Sequence, residues 1–286
     1  MVASGTFGYA EEFRDFMDLR KLGAIVTKTI TLKPRQGNPP PRTCETPAGM
    51  LNSIGLENPG LEVFIKEKLP VLKKTGVPVI VSIASESDPR EFITLARRLD
   101  KIKAVAAIEL NISCPNLQHT KLISQDAKET YNLVSQVRKV TQKILITKLS
   151  PNVTNIAPIA LAAQNAGSDA VSLINTLTAM SIDVDKRKLK IALGIAGLSG
   201  PAIRPVAVRM VWEAAQKIRI PIIGMGGIID ASSALEFILA GATAVSVGTA
   251  NFINPKVSIE IIEGLKKYLS ENKIKDIKIL IGSLRI

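Results

Sequence analysis

Short apolar runs alternate along this chain with longer segments whose apolar positions recur every three or four residues. The runs lie at 23–27, 77–83, 104–110, 143–148, 169–174, 220–224 and 243–247, and they are rich in Val, Ile and Ala. Near-continuous β-branched runs of this length are what strands buried on both faces of a parallel sheet require. Between them the spacing predicts helices over 9–20, 59–74, 88–101, 125–140, 154–166, 201–217, 230–240 and 255–271. Asp88-Pro89 and Asp230 mark two helix starts, and Gly167 and Gly241 stand where C-terminal caps belong.

Strand–helix alternation sustained over this length predicts a (β/α)8 TIM barrel. No linker-like stretch divides the chain, so residues 1–286 read as a single barrel domain. Seven strands are plain. The first of the eight is reduced to Met1-Val2-Ala3, so the N-terminus reads as truncated. Two segments interrupt the alternation. Residues 29–50 are Pro-rich with β-type residues and predict an irregular hairpin over the barrel's C-terminal face; residues 175–200 predict a long polar loop after the sixth strand. Loops of that length in a compact domain are usually functional, and barrel active sites sit at the strands' C-terminal ends.

Composition narrows the chemistry. Of 286 residues, 46% are hydrophobic but only 4% aromatic, so the core must be aliphatic. The balance of 37 basic to 25 acidic side chains gives +12. The lysines are scattered along helices without interleaved aromatics, which argues against nucleic acid and for a solvated surface, an acidic substrate or an acidic partner protein. Cys44 and Cys114 are too few for a disulfide framework or a four-thiolate iron–sulfur site, so a reduced, cytoplasmic setting is expected. No signal peptide or membrane-spanning run is evident. His119 is the one histidine; it excludes a histidine-type zinc site and reads as a loop residue.

Candidate chemistry gathers at predicted strand ends. Asn111-Ile-Ser-Cys114-Pro-Asn116 follows the fourth strand and sets a thiol between two amides. An unperturbed thiol has a pKa of about 8.5, close enough to neutrality for a general base, and amides hold a planar substrate without adding charge. The plain alternative is a buried structural cysteine. Gly224-Met-Gly226-Gly227 follows the seventh strand and Gly248-Thr249 the eighth, with Gly200 able to join them. Glycines there let backbone N–H groups approach a phosphate, although tight βα turns would also explain them. The pattern is no dinucleotide fingerprint, so a mononucleotide such as FMN fits better than NAD. Lys28 and Lys148, at the ends of the second and fifth strands, would need anionic partners inside a barrel mouth, or else stand solvated on its rim. Asn175-Thr176 and Asn52-Ser53-Ile54-Gly55-Leu56 add further hydrogen-bonding groups.

Together with Ala3–Gly8, Thr27-Lys28-Thr29, Asn38–Arg42 and Gly49–Leu56, these motifs resemble class 1 dihydroorotate dehydrogenase, over nearly the whole chain. Cysteine at 114 and the wording of Glu45-Thr46 and Gly49–Leu56 resemble subclass 1B. The resemblance implies an FMN flavoprotein of pyrimidine biosynthesis that oxidises dihydroorotate, with Cys114 as base and hydride transfer to FMN. It implies flavin contacts from Ser4, Lys28, Thr29, Asn111, Lys148, Ile174, Gly200, Gly226, Gly227, Gly248 and Thr249. Substrate contacts are implied from Lys28, Asn52, Ser53, Ile54, Gly55, Leu56, Asn111, Asn116, Asn175 and Thr176. It further implies an FAD and [2Fe–2S] partner subunit that passes electrons to NAD, around a homodimeric core or in a heterotetramer. The chain departs from the family in three places: the strand and hairpin before Ala3 are missing, Ser82 replaces an asparagine, and Leu-Gln-His-Thr-Lys-Leu follows Asn116 in place of a Gly-rich stretch. A non-flavin phosphate-binding barrel, or a non-catalytic ligand-binding one, would keep the glycines but leave Cys114 and Asn52–Leu56 without a role.

Overall fold

The computed structural model describes residues 1–85, 88–113 and 123–285. In chain order its strands are β1 (Ile25–Val26), β2 (Thr43–Thr46), β3 (Gly49–Asn52), β4 (Val79–Ile83), β5 (Val105–Asn111), β6 (Ile144–Lys148), β7 (Ala170–Leu173), β8 (Leu177–Met180), β9 (Ile182–Asp183), β10 (Lys188–Leu189), β11 (Ile195–Ser199), β12 (Ile222–Gly224) and β13 (Ala244–Val245). The helices are α1 (Gly60–Val63), α2 (Leu69–Lys74), α3 (Arg90–Asp100), α4 (Ala127–Arg138), α5 (Ala157–Asn165), α6 (Arg204–Ala215), α7 (Ala231–Leu239), α8 (Ala250–Ile253) and α9 (Val257–Glu271).

The parallel sheet runs β1-β4-β5-β6-β7-β12-β13, one strand for each predicted run. Val2 joins its two edges, bridging in parallel to Ile25 on one side and Val247 on the other. Val247 N–H donates to the Met1 carbonyl at 2.9 Å, and Ala3 N–H returns to the Val247 carbonyl at 2.8 Å. Residues 1–3 thus fill the eighth strand position, and the (β/α)8 barrel closes without an open edge.

The barrel interior is layered. Ala3, Val26, Ile80, Ala107, Ile146, Ala170 and Ile223 form an apolar layer. Two residues further along β4, β5, β6 and β7 the same inward face presents Ser82, Glu109, Lys148 and Ser172, because strand side chains alternate with period two. The interior therefore changes from hydrocarbon to polar toward the C-terminal ends.

The excursions correct part of the sequence reading. The predicted irregular hairpin is regular at its end, where β2 and β3 pair antiparallel from Thr43↔Asn52 to Thr46↔Gly49. Residues 175–200 are not a loop. β11 pairs antiparallel with both β3 and β8, making a four-stranded sheet β2-β3-β11-β8 over the barrel mouth. Leu51 of β3 and Ala196 of β11 pack with Ile191 in a small buried cluster that the linear sequence does not mark, because its members come from separate segments.

Two predicted helices also differ. Over 9–20 the chain makes only short turns, Glu11–Phe13 and Leu19–Lys21. Ala10 is left-handed at φ 72°, and Phe7 stacks on Phe13 with centroids 3.9 Å apart, which folds the segment inward. Over 59–74, α1 and α2 are separated by a widened π segment, Phe64–Lys68, in which Leu69 N–H reaches the Phe64 carbonyl. Pro70 follows directly, has no N–H for the regular ladder, and crowds the preceding turn.

Candidate active site

Beneath the four-stranded sheet, at the C-terminal end of the barrel, lies a cavity of about 1210 Å3 including its open mouth.

One wall is a chain of hydrogen bonds that crosses several strand ends. Ser82 Oγ lies 2.9 Å from Thr29 Oγ1, which accepts from Asn111 Nδ2 at 3.2 Å. Asn111 Oδ1 accepts from Asn175 Nδ2 and Ser113 Oγ, both at 3.3 Å. Asn175 Nδ2 donates to Ser113 Oγ at 2.8 Å, while Asn175 Oδ1 receives the Thr176 N–H at 2.8 Å. Such a network fixes the rotamers of both amides before any ligand arrives. Ser82 anchors its far end.

Two cations line the same cavity. Lys148 projects inward from the end of β6 and donates to Ser4 Oγ at 3.2 Å. Lys28 is half-buried, with its backbone N–H bonded to the Gly8 carbonyl at 2.9 Å. A Cβ at Gly5 would stand 4.0 Å from Lys28 Nζ, so the Ser4–Thr6 turn lies close to this ammonium. Overhead, Asn52 of β3 donates to the Gly197 carbonyl at 3.4 Å and binds the roof together.

The glycine-lined end divides into two kinds of position. Gly227 is required by the protein's own packing: its φ is 80°, and a Cβ would stand 2.7 Å from Arg204 Cβ and 2.9 Å from the Gly200 carbonyl. Gly248 is different. A Cβ there would meet nothing closer than Ala3 Cβ at 3.7 Å, so the missing side chain leaves space inside the cavity. Thr249, beside it, donates to Ser199 Oγ at 2.8 Å. Glycines, backbone amides and hydroxyls here, with a buried ammonium further along, are a donor set that fits an anionic mononucleotide.

The structure brings most of the sequence-predicted residues together. Ser4, Lys28, Thr29, Asn111, Lys148 and Ile174 line the cavity, as do Gly200, Gly226, Gly227, Gly248 and Thr249. So do Asn52, Ile54, Gly55, Leu56, Asn175 and Thr176. Ser53 does not: it is buried behind the roof, where Asn38 Nδ2 donates to its Oγ and its carbonyl at 3.0 Å. Along that strand Asn52 faces the cavity and Ser53 turns away, as period two dictates. Cys114, Asn116 and His119 lie outside the described residues. Sequence reasoning missed Ser113, Ser199, Thr43, Met50 and Phe252. Thr43, Met50 and Ser199 are ordinary residues on strands of the roof and Phe252 is one on α8, so no local signal marked them.

A sequence profile described as dihydroorotate dehydrogenase matches residues 1–269. Curated relatives match end to end. The dihydroorotate dehydrogenase B (NAD(+)) catalytic subunit of Geotalea uraniireducens is 54% identical over 285 residues, 99% of this chain and 93% of the relative. The protein of the same description from Thermoanaerobacter pseudethanolicus is 52% identical, covering 100% of this chain and 94% of its own length. That from Geobacter sulfurreducens is 51% identical with the same coverage.

Proposed function

Because the chain belongs to the dihydroorotate dehydrogenase family, we propose that it oxidises dihydroorotate to orotate in pyrimidine biosynthesis, as the FMN-containing catalytic subunit of an NAD-linked enzyme. The observation that carries this reading is the single cavity in which Lys28, Lys148, the Asn111–Asn175 network and the open space at Gly248 converge.

FMN, when bound, supplies the acceptor for the hydride that leaves C6 of dihydroorotate. The residues divide the remaining work. Gly200, Gly226, Gly227, Gly248 and Thr249 receive the phosphate end. Lys148, Ser4, Thr29 and Ile174 border the ring. Lys28 meets the substrate carboxylate, whose charge compensates its ammonium. Asn52, Asn111, Asn116, Asn175 and Thr176 fix the substrate ring by hydrogen bonds, and Ile54, Gly55 and Leu56 cover it. Cys114 takes the C5 proton as the C5–C6 double bond forms. Its neighbour Ser113 is tied to both Asn111 and Asn175, which supports a fixed origin for the segment bearing the thiol. Two cysteines are too few for an iron–sulfur cluster, so NAD use requires a second protein, which the family resemblance implies is a subunit carrying FAD and [2Fe–2S].

General-base catalysis typically contributes about 10²–10⁴-fold. Cys114→Ala is expected to lose turnover by that order and to retain stoichiometric flavin, measured by steady-state kinetics and the visible spectrum of the same preparation. Full turnover in this variant would remove the proposed base.

A further inference from the structure

Two charged side chains are buried among the described residues, Glu109 at 1% exposure and Lys148 at 5%. They stand on adjacent barrel strands and on the same inward face. Glu109 is in register with Ile146, and Lys148 with Asn111. Strand spacing of about 4.8 Å and a rise of about 3.3 Å per residue set their Cα atoms roughly 8 Å apart. Ser172 brings the carboxylate closer. It lies on β7, in register with Lys148, and its Oγ donates to Glu109 Oε2 at 3.0 Å. That bond joins β5 to β7 and so carries the carboxylate across the inner face of β6, the strand that bears Lys148. Among the described residues Glu109 Oε1 is buried with no hydrogen-bond partner, and the ammonium of Lys148 donates to the neutral hydroxyl of Ser4.

Glutamate and lysine are almost never fully buried unless paired, because an isolated charge in a low-dielectric interior is heavily penalised. These two are the buried charged side chains among the described residues, and they are opposite in sign. We propose that Glu109 is a positioning residue: its carboxylate is the buried counter-charge of Lys148 across the inner face of the barrel, and its field favours the ammonium at the cavity floor. The pair stands on the geometry alone. Its redox consequence rests on the flavin reading of the cavity: a fixed negative charge near the cavity would oppose reduction of a bound flavin, so removing it makes reduction easier.

The test is a double-mutant cycle on the full-length protein without flavin, with urea unfolding as readout. Glu109→Gln and Lys148→Met are each expected to lower the folding equilibrium constant about a hundredfold or more, as breaking a buried pair does. The double variant is expected to recover at least about tenfold over the sum of the single effects. Single variants that fail to fold beside a double variant that folds would support the pairing equally. Additive losses, with no recovery over the sum of the single effects, would overturn it.

The second readout is the flavin midpoint potential. Glu109→Gln is expected to raise it by a tenfold shift in the two-electron equilibrium, about 30 mV, and Glu109→Asp to restore most of the wild-type value. An unchanged potential in folded, flavin-loaded Glu109→Gln would overturn the electrostatic role. Failure of the wild type to take up flavin would strike the cofactor reading and leave the cycle to decide the pair.

Discussion

Gly248 carries no side chain although its surroundings would admit one, and that makes it the most direct residue-scale probe of the cavity. Its φ lies outside the left-handed region, and the nearest atom to an added methyl would be 3.7 Å away. Gly248→Leu is therefore expected to leave the apo fold intact, with a thermal midpoint near that of wild type, and to lower FMN affinity at least tenfold, measured by fluorescence titration. Unchanged FMN affinity would move the phosphate end elsewhere. The residue scale was largely legible in sequence, because Lys28, Lys148, Asn111 and the glycines are unusual residue types at predicted strand ends. Glu109 was not, since it sits inside a run read as apolar and reveals its meaning only through Ser172, 63 positions away. Ser113 was missed for a related reason: its partners come from two different strands.

At the scale of elements, legibility followed locality. Asp230 was readable as a helix start because its contacts are within three residues. Its carboxylate accepts the Ser233 N–H at 2.7 Å, and Ser233 Oγ receives the Asp230 N–H at 3.0 Å, closing a capping box on α7. The Ser233 backbone N–H, then its hydroxyl, hold the Asp230 carboxyl below the usual carboxylate range. A depressed folded-state pKa means that the cap stabilises fully above the unfolded value and is lost as pH falls through the lower folded value. Asp230→Ala is expected to destabilise by about 0.5–2 kcal/mol near neutral pH, and by progressively less in acid. Denaturant unfolding at two pH values checks both the size and the sign. Elements fixed by distant contacts were read less well. The β8–β11 excursion depends on pairing with β3 across 145 positions, as in Asn52 with Gly197, and the turns at 9–20 depend on ring stacking.

For the whole molecule, the decisive feature is closure. Strand–helix alternation predicted the ring, but Met1–Ala3 looked too short to be a strand. Val2 suffices because a barrel position needs only enough backbone to bridge both neighbours, and it does so to Ile25 and Val247. Closure sets Ser4 beside Lys148 and Ala3 beside Gly248, so the first residues of the chain help build the cavity. Over it the four-stranded sheet forms a roof, and the inward face below turns polar at Ser82, Glu109, Lys148 and Ser172. One assembly thus joins a glycine-lined end, two ammonium groups and a hydrogen-bonded amide network, the set on which the proposed oxidation of a small carboxylate at a flavin rests. The most direct test is anaerobic addition of dihydroorotate to the purified, FMN-loaded chain while its visible spectrum is recorded. The account predicts that the flavin band bleaches as orotate forms in equal amount. A flavin band untouched by dihydroorotate, in folded protein, would contradict it.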